Sequence, residues 1–175
     1  MGAFRVRRTI VPATIVTIFI VAIQLDILSS LRFAGTVVML VWLWPVAMGL
    51  AGFTGLAVYV ALLGGVLVDT HATTPFGLTA IVGVLVAYGA SLLGREGVGD
   101  LDSAAYWVTP ALAALAGFAA PLLYTIGGVF VFNFELWRGG LLDMMVVNAI
   151  AFLLFARLVT RLARAVASVG ERVRR

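Results

Sequence analysis

Long apolar runs separated by short polar segments make up almost the whole chain. A helix needs about 20 apolar residues to cross a hydrocarbon core of roughly 30 Å. We therefore predict transmembrane helices over residues 10–28, 33–50, 54–68, 76–93, 104–132 and 139–159. The expected fold is an all-α integral membrane protein with one transmembrane domain of six helices, residues 1–160. A basic amphipathic cytoplasmic tail, residues 161–175, follows it.

Two features of the apolar runs decide this division. The run 33–68 has no charge apart from its flanks and is too long for one span at ordinary tilt. Glycine recurs in its middle at Gly49, Gly52 and Gly55. These residues supply the backbone freedom that a tight reversal requires, so we place a turn there. The run 104–132 contains two prolines, which predict a kink near Gly117 or a partly interfacial start.

The amino-acid composition also favours a bilayer. Of the 175 residues, 63% are apolar and 11% are charged, and the mean hydropathy is +1.14. Soluble globular chains carry about 25% charged residues. Cysteine is absent, which excludes disulfide scaffolds, cysteine nucleophiles and thiolate metal sites. The single histidine, His71, leaves little for histidine-based acid–base catalysis.

The arginines are unequally divided between the two sides of the predicted bundle. With six spans both termini lie on one side, which would hold ten of the twelve basic residues, all arginine, while Arg32 and Arg138 lie on the other. The positive-inside rule therefore predicts a multi-pass protein of the cell membrane with both termini cytoplasmic. The N-terminus resembles a signal peptide, but no cleavage site follows Leu28, so we expect it to be retained as the first helix.

Polar residues collect on the predicted outer side, where ionisable groups near hydrocarbon are candidates for function. The predicted outer vestibule comprises Asp26, Arg32, His71, Glu135, Arg138, Asp143 and Asn148. Snorkelling to lipid headgroups is the alternative for Asp26, Glu135 and Asp143. Hydrogen bonding between helices is the alternative role for the two deeper amides, Gln24 and Asn148.

Asp69 ends the predicted third helix, just before a turn that contains proline and glycine. It can accept backbone N–H groups at the start of the fourth helix, or pair with Arg32 or Arg138. Direct contact with a partner is the alternative. Gly64 and Gly65 form the best small-residue patch, which lets a helix of this chain or of a partner approach closely.

The C-terminal segment is predicted to extend the sixth helix as a basic amphipathic helix. The basic residues assigned to it are Arg157, Arg161, Arg164, Arg172 and Arg175. The opposite, apolar stripe comprises Leu158, Leu162, Ala165, Val166 and Val169. Such a helix can lie on anionic lipid or dock onto a cytoplasmic partner.

Two stretches carry a resemblance to a known family. Residues 23–35, IQLDILSSLRFAG, place a glutamine in helix one before a leucine-rich turn and a glycine. Residues 64–88, GGVLVDTHATTPFGLTAIVGVLVAY, combine two glycines, an aspartate, a small-residue loop and a further glycine. Both resemble MreD, the small polytopic membrane subunit of the bacterial rod-shape (elongation) machinery. The matching residues are Gln24, Leu28, Gly35, Gly64, Gly65, Asp69 and Gly77. Thr36, Val37 and Val38 stand where many members carry a Pro-Asp pair.

The resemblance implies a non-enzymatic scaffold that binds MreC and, through it, the elongation penicillin-binding protein, the RodA-type glycosyltransferase and MreB filaments. It would help to organise peptidoglycan synthesis and cell shape. It also implies a six-helix architecture similar to the substrate-binding subunits of energy-coupling-factor vitamin transporters.

Such a transporter subunit is the alternative function. Its pocket could be lined by tryptophans, of which the chain has Trp42, Trp44, Trp107 and Trp137. The sequence has no Walker-type glycine loop, HExxH motif or nucleophile elbow. We therefore expect no enzymatic activity, cofactor, metal or nucleic-acid binding.

Overall fold

The computed structural model describes residues 2–28, 30, 35–72, 75–96, 107–131 and 140–172. Its six α-helices are α1 (Gly2–Ile23), α2 (Leu40–Leu50), α3 (Thr54–Asp69), α4 (Leu78–Glu96), α5 (Val108–Ile126) and α6 (Leu141–Arg172). Helices α1 and α5 each continue into a five-residue π-helical segment, Gln24–Leu28 and Gly127–Val131. The predicted all-helical class is confirmed over the described residues.

Three helical stretches are long and apolar enough to cross a membrane. They are Thr9–Ile27, Val108–Phe130 and Leu141–Ser168. Three shorter apolar helical stretches accompany them, Leu40–Leu50, Thr54–Asp69 and Leu78–Gly94. The chain thus has the character of a helical membrane protein. Six crossings and cytoplasmic termini stay predictions.

Helix α2 is the centre of the bundle. It contacts all five other helices, and its ten residues from Val41 to Leu50 are all buried. A helix that is apolar on every side belongs in the interior of a bundle. The other helices bury one face each, and their outward faces carry large exposed apolar side chains such as Phe19, Leu85 and Leu154.

Helices that follow one another in sequence run in opposite directions. In the α5–α6 pair, Gly117 lies against Asn148 while Trp107 lies against Arg157. The contacts of α1 with α2, α2 with α3, and α3 with α4 show the same antiparallel order. One end of the bundle therefore holds the N-termini of α1, α3 and α5 and the C-termini of α2, α4 and α6. We call it the arginine end, because α1 carries three arginines there and α6 carries more.

The turn between α2 and α3 lies where the glycines predicted it. Gly52 has φ of +87°, a left-handed conformation that favours glycine. The N–H of Gly52 donates to the carbonyl of Gly49 and that of Phe53 to the carbonyl of Met48. The division of the run 33–68 into two helices is confirmed.

Two helices begin later than the predicted spans. The second helix begins at Leu40, and the described residues before it, 35–39, are not helical. The fifth begins at Val108, with Pro110 in its first turn, where proline's missing N–H leaves no helical bond unmade. Gly117 lies inside this uninterrupted helix, and its lack of a side chain admits the carbonyl of Asn148 and the ring of Phe152.

Helix α6 is one continuous helix of 32 residues, about 48 Å long at 1.5 Å per residue. This confirms that the C-terminal segment extends the sixth helix. The segment is nevertheless packed further than expected, since Ala163, Val166 and Ala167 are buried. Ala163 and Val166 lie in a core cluster with Ala13 of α1 and Trp44 of α2. The packed bundle therefore continues past the predicted boundary at residue 160.

Candidate functional site

Two amide side chains bind the non-helical backbone just before α2. Gln24, in the π-helical segment after α1, accepts a hydrogen bond from the N–H of Leu40 at 2.8 Å and donates one to the carbonyl of Val38 at 3.1 Å. Asn148 of α6 accepts from the N–H of Met39 at 2.8 Å and donates to the carbonyl of Val37 at 3.3 Å. We call this arrangement the amide clamp.

The clamp pairs backbone groups that lie outside any helix. Helix α2 has only 11 residues, and the described residues before it, 35–39, are not helical. Buried backbone N–H and carbonyl groups outside a helix must find hydrogen-bond partners elsewhere in the protein. Gln24 and Asn148 supply them, and both are buried.

Both amides were predicted to bond between helices or, for Asn148, to line an outer vestibule. Gln24 meets the first expectation, since it accepts the N–H of Leu40 at the start of α2. The partners of Asn148 in this segment, Met39 and Val37, precede α2. Asn148 is fully buried and also donates to the carbonyl of Met144 in its own helix at 2.9 Å.

Asp69 closes α3 and caps α4. Its carboxylate accepts the N–H of Thr79 at 3.1 Å and that of Ala80 at 3.4 Å, and the residue is only 4% exposed. An acid at this position satisfies backbone donors of the first turn and the positive end of the helix dipole. Of the roles predicted for Asp69, the structure shows capping of the fourth helix. Arg32 and Arg138, its possible ionic partners, lie outside the described residues.

The glycines that carry the resemblance to MreD lie at turns and at close contacts between helices of this chain. Gly77 has φ of +90° and its carbonyl accepts the N–H of Ile81, so it begins the first turn of α4. Gly35 has φ of +78° just before the clamped segment. Gly64 faces α1 and α2, where an added Cβ would lie 3.0 Å from Val41. At Gly65 an added Cβ would overlap the backbone of Ala80.

The patch Gly64–Gly65 is therefore used inside the chain. Its two residues face different helices, so it is not one surface that an external helix could occupy. Leu28 ends the π-helical segment.

The charged residues of the predicted vestibule are not joined in the described part of the chain. Asp26, His71 and Asp143 are exposed, and no hydrogen bond or ion pair links any two of them. The Nδ1 atom of His71 contacts only its own turn, the hydroxyl of Thr70 at 3.0 Å and the carbonyl of Leu67 at 2.9 Å. Arg32, Glu135 and Arg138 lie outside the described residues, and the vestibule stays a prediction.

The tryptophans fill the bundle more than they line a pocket. Trp42 and Trp44 are each 1% exposed. The indole N–H of Trp42 donates to the carbonyl of Thr79 at 3.2 Å, and that of Trp44 to the hydroxyl of Thr17 at 3.1 Å. Trp107 is exposed at the start of α5. Trp137 lies outside the described residues.

The residues of the predicted apolar stripe divide between two faces of the C-terminal helix. Leu158, Leu162 and Ala165, assigned to the apolar stripe, are exposed. The buried face is instead formed by small side chains and one hydroxyl: Ala156, Thr160, Ala163 and Ala167, together with Val166. Small residues at helical spacing let α6 approach α1 and α2 closely.

The arginines of this helix differ in their surroundings. The guanidinium of Arg157 lies 5.8 Å from the ring centre of Trp107, a cation–π contact between α6 and α5. Arg161 is exposed and Arg164 half-buried. Arg172 is the last residue of α6, and Arg175 lies outside the described residues.

A cavity that the sequence did not predict lies at the arginine end. Its volume is about 430 Å³, and its walls come from α1, from the α2–α3 turn and from the first turns of α3. They include Ile10, Phe53, Leu56 and Tyr59. Only the AGFTG sequence of the turn could have signalled it, because small residues leave space unfilled.

No protein-family model matches the chain, and no curated protein or solved structure matches it either. What the site does must therefore be argued from its geometry and from the residues that carry the resemblance.

Proposed function

We propose that this protein is an MreD-like, non-enzymatic membrane scaffold of a bacterial cell-elongation complex. The observation that carries the proposal is the use made of the residues that resemble MreD. Gln24, Gly64, Gly65, Asp69 and Gly77 all position helices of this chain. Because these residues position helices, their resemblance to MreD favours a helix arrangement like that of MreD. The function would then reside in the surfaces that this arrangement exposes.

The partners of three buried side chains support a role without chemistry at these positions. The amides of Gln24 and Asn148 and the carboxylate of Asp69 are engaged by backbone groups. A catalytic or ligand-binding group would need an unoccupied donor or acceptor directed at a pocket. These three groups are already bonded, and Trp42 and Trp44 are packed into the core. Both facts argue against a vitamin site among these residues. The transporter subunit is therefore the weaker alternative.

Binding would occur through helix faces that the bundle leaves exposed. Candidate faces are represented by Ile15 on α1, Leu85 on α4 and Leu154 on α6, which are exposed by 62%, 54% and 70%. In lipid, association between helices depends on close packing and interhelical hydrogen bonds. A partner's transmembrane helix, such as that of an MreC-like protein, would replace lipid on one of these faces. The glycine pair Gly64–Gly65 is excluded as the contact, since it packs internally.

The test is purification of the tagged protein from its own cells in mild detergent, with mass spectrometry of co-purifying proteins and small molecules. We expect an MreC-like protein, with a penicillin-binding protein or RodA-type enzyme. Recovery of an ATPase pair and a vitamin, without wall-synthesis proteins, would replace the scaffold by the transporter subunit.

Single substitutions would then map the partner face. Ile15→Trp, Leu85→Trp and Leu154→Trp each enlarge one exposed face without touching the core. The scaffold proposal expects one of them to abolish recovery of the MreC-like protein while the others leave it unchanged. Loss in all three, with unaltered thermal stability, would contradict binding through one helix face.

A further inference from the structure

We propose that the exposed face of α4 binds the same face of a second copy of this chain, with the hydroxyl of Tyr88 donating a hydrogen bond to the backbone carbonyl of Leu85 in the other copy. Three observations support this contact. They are a phenol without a partner midway along α4, a glycine beside it that the chain itself does not use, and the equal depth at which two copies present both. The contact does not depend on the scaffold proposal, since it joins copies of one chain.

Tyr88 carries a polar group on an otherwise apolar face. Its side chain is 51% exposed, and the other exposed residues of the face are Ile81, Leu85, Leu92 and Leu93. The Tyr88 hydroxyl makes no hydrogen bond to any residue that the structure describes. The donor of this phenol is therefore free to bond outside the described part of the chain.

Tyr88 lies near the middle of the predicted fourth span, 76–93. Along α4 it is about 15 Å from Leu78 and about 12 Å from Glu96, at 1.5 Å per residue. Side chains on a helix lean toward its N-terminus, so the phenol extends toward the middle of the span and away from the nearer end. Hydrocarbon offers a hydroxyl no partner there, and such groups are used for hydrogen bonds between transmembrane helices.

Gly89, next to Tyr88, is not approached by any described residue of another helix. A Cβ at Gly89 would meet nothing within 4 Å, and the residue is partly exposed. Glycine is less favourable than alanine inside a helix, and packing within the described chain does not explain its presence here. Small residues let a helix from outside approach closely. Glycines inside helices that do meet a neighbouring helix within 4 Å are Gly49, Gly64, Gly65, Gly83, Gly94 and Gly117.

Tyr88 and Gly89 are complementary when the α4 helices of two copies lie side by side. Copies in one membrane share an orientation, so their α4 helices run parallel, and a two-fold axis along the membrane normal places equal residues at equal depth. In a helix the N–H of Gly89 bonds to the carbonyl of Leu85. Without a side chain, Gly89 leaves that carbonyl uncovered, and Tyr88 of the other copy extends over the same turn. The donor hydroxyl thus meets a carbonyl oxygen with a second lone pair to accept it.

The exposed faces of α1 and α6 do not carry this combination. Midway along these helices the exposed side chains are apolar, such as Ile15 and Phe19 on α1 and Ile150 and Leu154 on α6. Lipid tails cover such side chains as well as a protein would. The segment 78–94 of α4 also has no charged residue, so two copies would not repel each other there. The face of α4 is therefore the one that a second copy fits.

The first test is disulfide crosslinking of the full chain in native membranes, which is direct because the chain has no native cysteine. Leu85→Cys places a thiol on the proposed face, and Leu154→Cys on α6, at a residue that is 70% exposed, is the matched control. We expect a mild oxidant to link Leu85→Cys into a dimer of this chain and to leave Leu154→Cys unlinked to itself. Equal dimer formation by the two variants, or a link from Leu85→Cys to a different protein, would overturn the proposal.

Tyr88→Phe tests the hydrogen bond itself. It removes only a hydroxyl that has no partner among the described residues, so the thermal midpoint should not change. One hydrogen bond between transmembrane helices is worth about threefold in association, and the loss of two symmetric bonds should weaken dimerisation about tenfold. The measurement is Förster transfer between differently labelled copies in liposomes at increasing lipid dilution. Unchanged association of Tyr88→Phe would refute the proposed contact.

Gly89→Leu tests the close approach of the two helices. The new side chain would cover the Leu85 carbonyl but find open space within the described chain, so it should abolish Förster transfer without lowering the thermal midpoint. Gly55→Leu on α3 is the matched control, since a Cβ there also meets nothing within 4 Å, and it should associate like the unchanged protein. Equal association of the two variants would place the second copy on another face and contradict the assignment.

Discussion

Gln24 accepts a hydrogen bond from the backbone N–H of Leu40, and Asn148 accepts one from the preceding N–H, that of Met39, each at 2.8 Å. Gln24 lies in the π-helical segment after α1, and Asn148 lies on α6. The first and last helices thus hold the start of the central helix between them. Val37 and Val38 have no polar side-chain atoms, and the buried hydroxyl of Thr36 has no hydrogen-bond partner among the described residues.

Replacing either clamp amide by an apolar residue of similar size should destabilise the bundle. Asn148→Leu leaves the Met39 N–H and the Val37 carbonyl without partners, and Gln24→Met does the same to the Leu40 N–H and the Val38 carbonyl. A buried backbone group left unpaired costs about 1–3 kcal/mol. The measurement is the free energy of unfolding in detergent, followed by tryptophan fluorescence.

The control for the clamp is a double-mutant cycle. Because both amides hold one backbone segment, the cost of the double variant Gln24→Met/Asn148→Leu should differ from the sum of the single costs. Strict additivity would contradict a shared clamp and indicate two separate helix contacts.

Gly65→Ala should be far more damaging than the same change at its neighbour. The new Cβ would overlap the backbone of Ala80, which cannot move without separating α3 from α4. Overpacking of this kind costs roughly 1–3 kcal/mol. At Gly64 the nearest atom is a methyl group of Val41 at 3.0 Å, which can yield by a small rotation. Thermal unfolding of both variants tests the order.

Gly89→Ala is the matched control for these glycine variants. It lies in helix α4 with open space around the added Cβ. Alanine is favoured over glycine in helices by about 1 kcal/mol, so this variant should be neutral or more stable. If Gly65→Ala behaved like Gly89→Ala, the close approach of α3 and α4 would be refuted.

Asp69→Ala should weaken the start of α4 by about 0.5–2 kcal/mol, the usual cost of a lost helix cap. Asp69→Asn keeps an oxygen that can accept the Thr79 N–H, so it should cost less. Hydrogen exchange of the amides of Thr79 and Ala80 would report the effect locally. Equal loss in the two variants would show that the charge matters more than the acceptor, as pairing with an arginine requires.

The hydrophobic pattern of the sequence predicted the number of helices better than it predicted the residues at which they begin. Charge-free runs of sufficient length located all six, and the glycine at position 52 located the reversal after α2. Helix α2 begins later than the apolar pattern predicts, because residues 33–39 carry no charge that would mark its start. The backbone of residues 37–39 is bonded by Gln24 and Asn148, which are distant in sequence, and a local pattern carries no such information.

Side-chain direction explains the other differences at the candidate site. The amides and Asp69 were recognised as polar groups near hydrocarbon, but their partners are backbone groups brought near by tertiary packing. In the C-terminal helix the stripe of large apolar residues faces outward and the small residues pack inward. Hydrophobicity alone does not distinguish these two faces, because in a membrane the exterior is as apolar as the core.

The absence of native cysteine makes the predicted topology directly testable. Ser30→Cys and His71→Cys introduce thiols at exposed positions opposite the arginine end, while Gly55→Cys lies at that end. If the positive-inside rule holds, a membrane-impermeant maleimide should label the first two in intact cells and Gly55→Cys only after permeabilisation. The reverse labelling pattern would show that the protein has the opposite orientation in the membrane. Labelling of all three positions in intact cells would mean that α2 and α3 do not cross the bilayer.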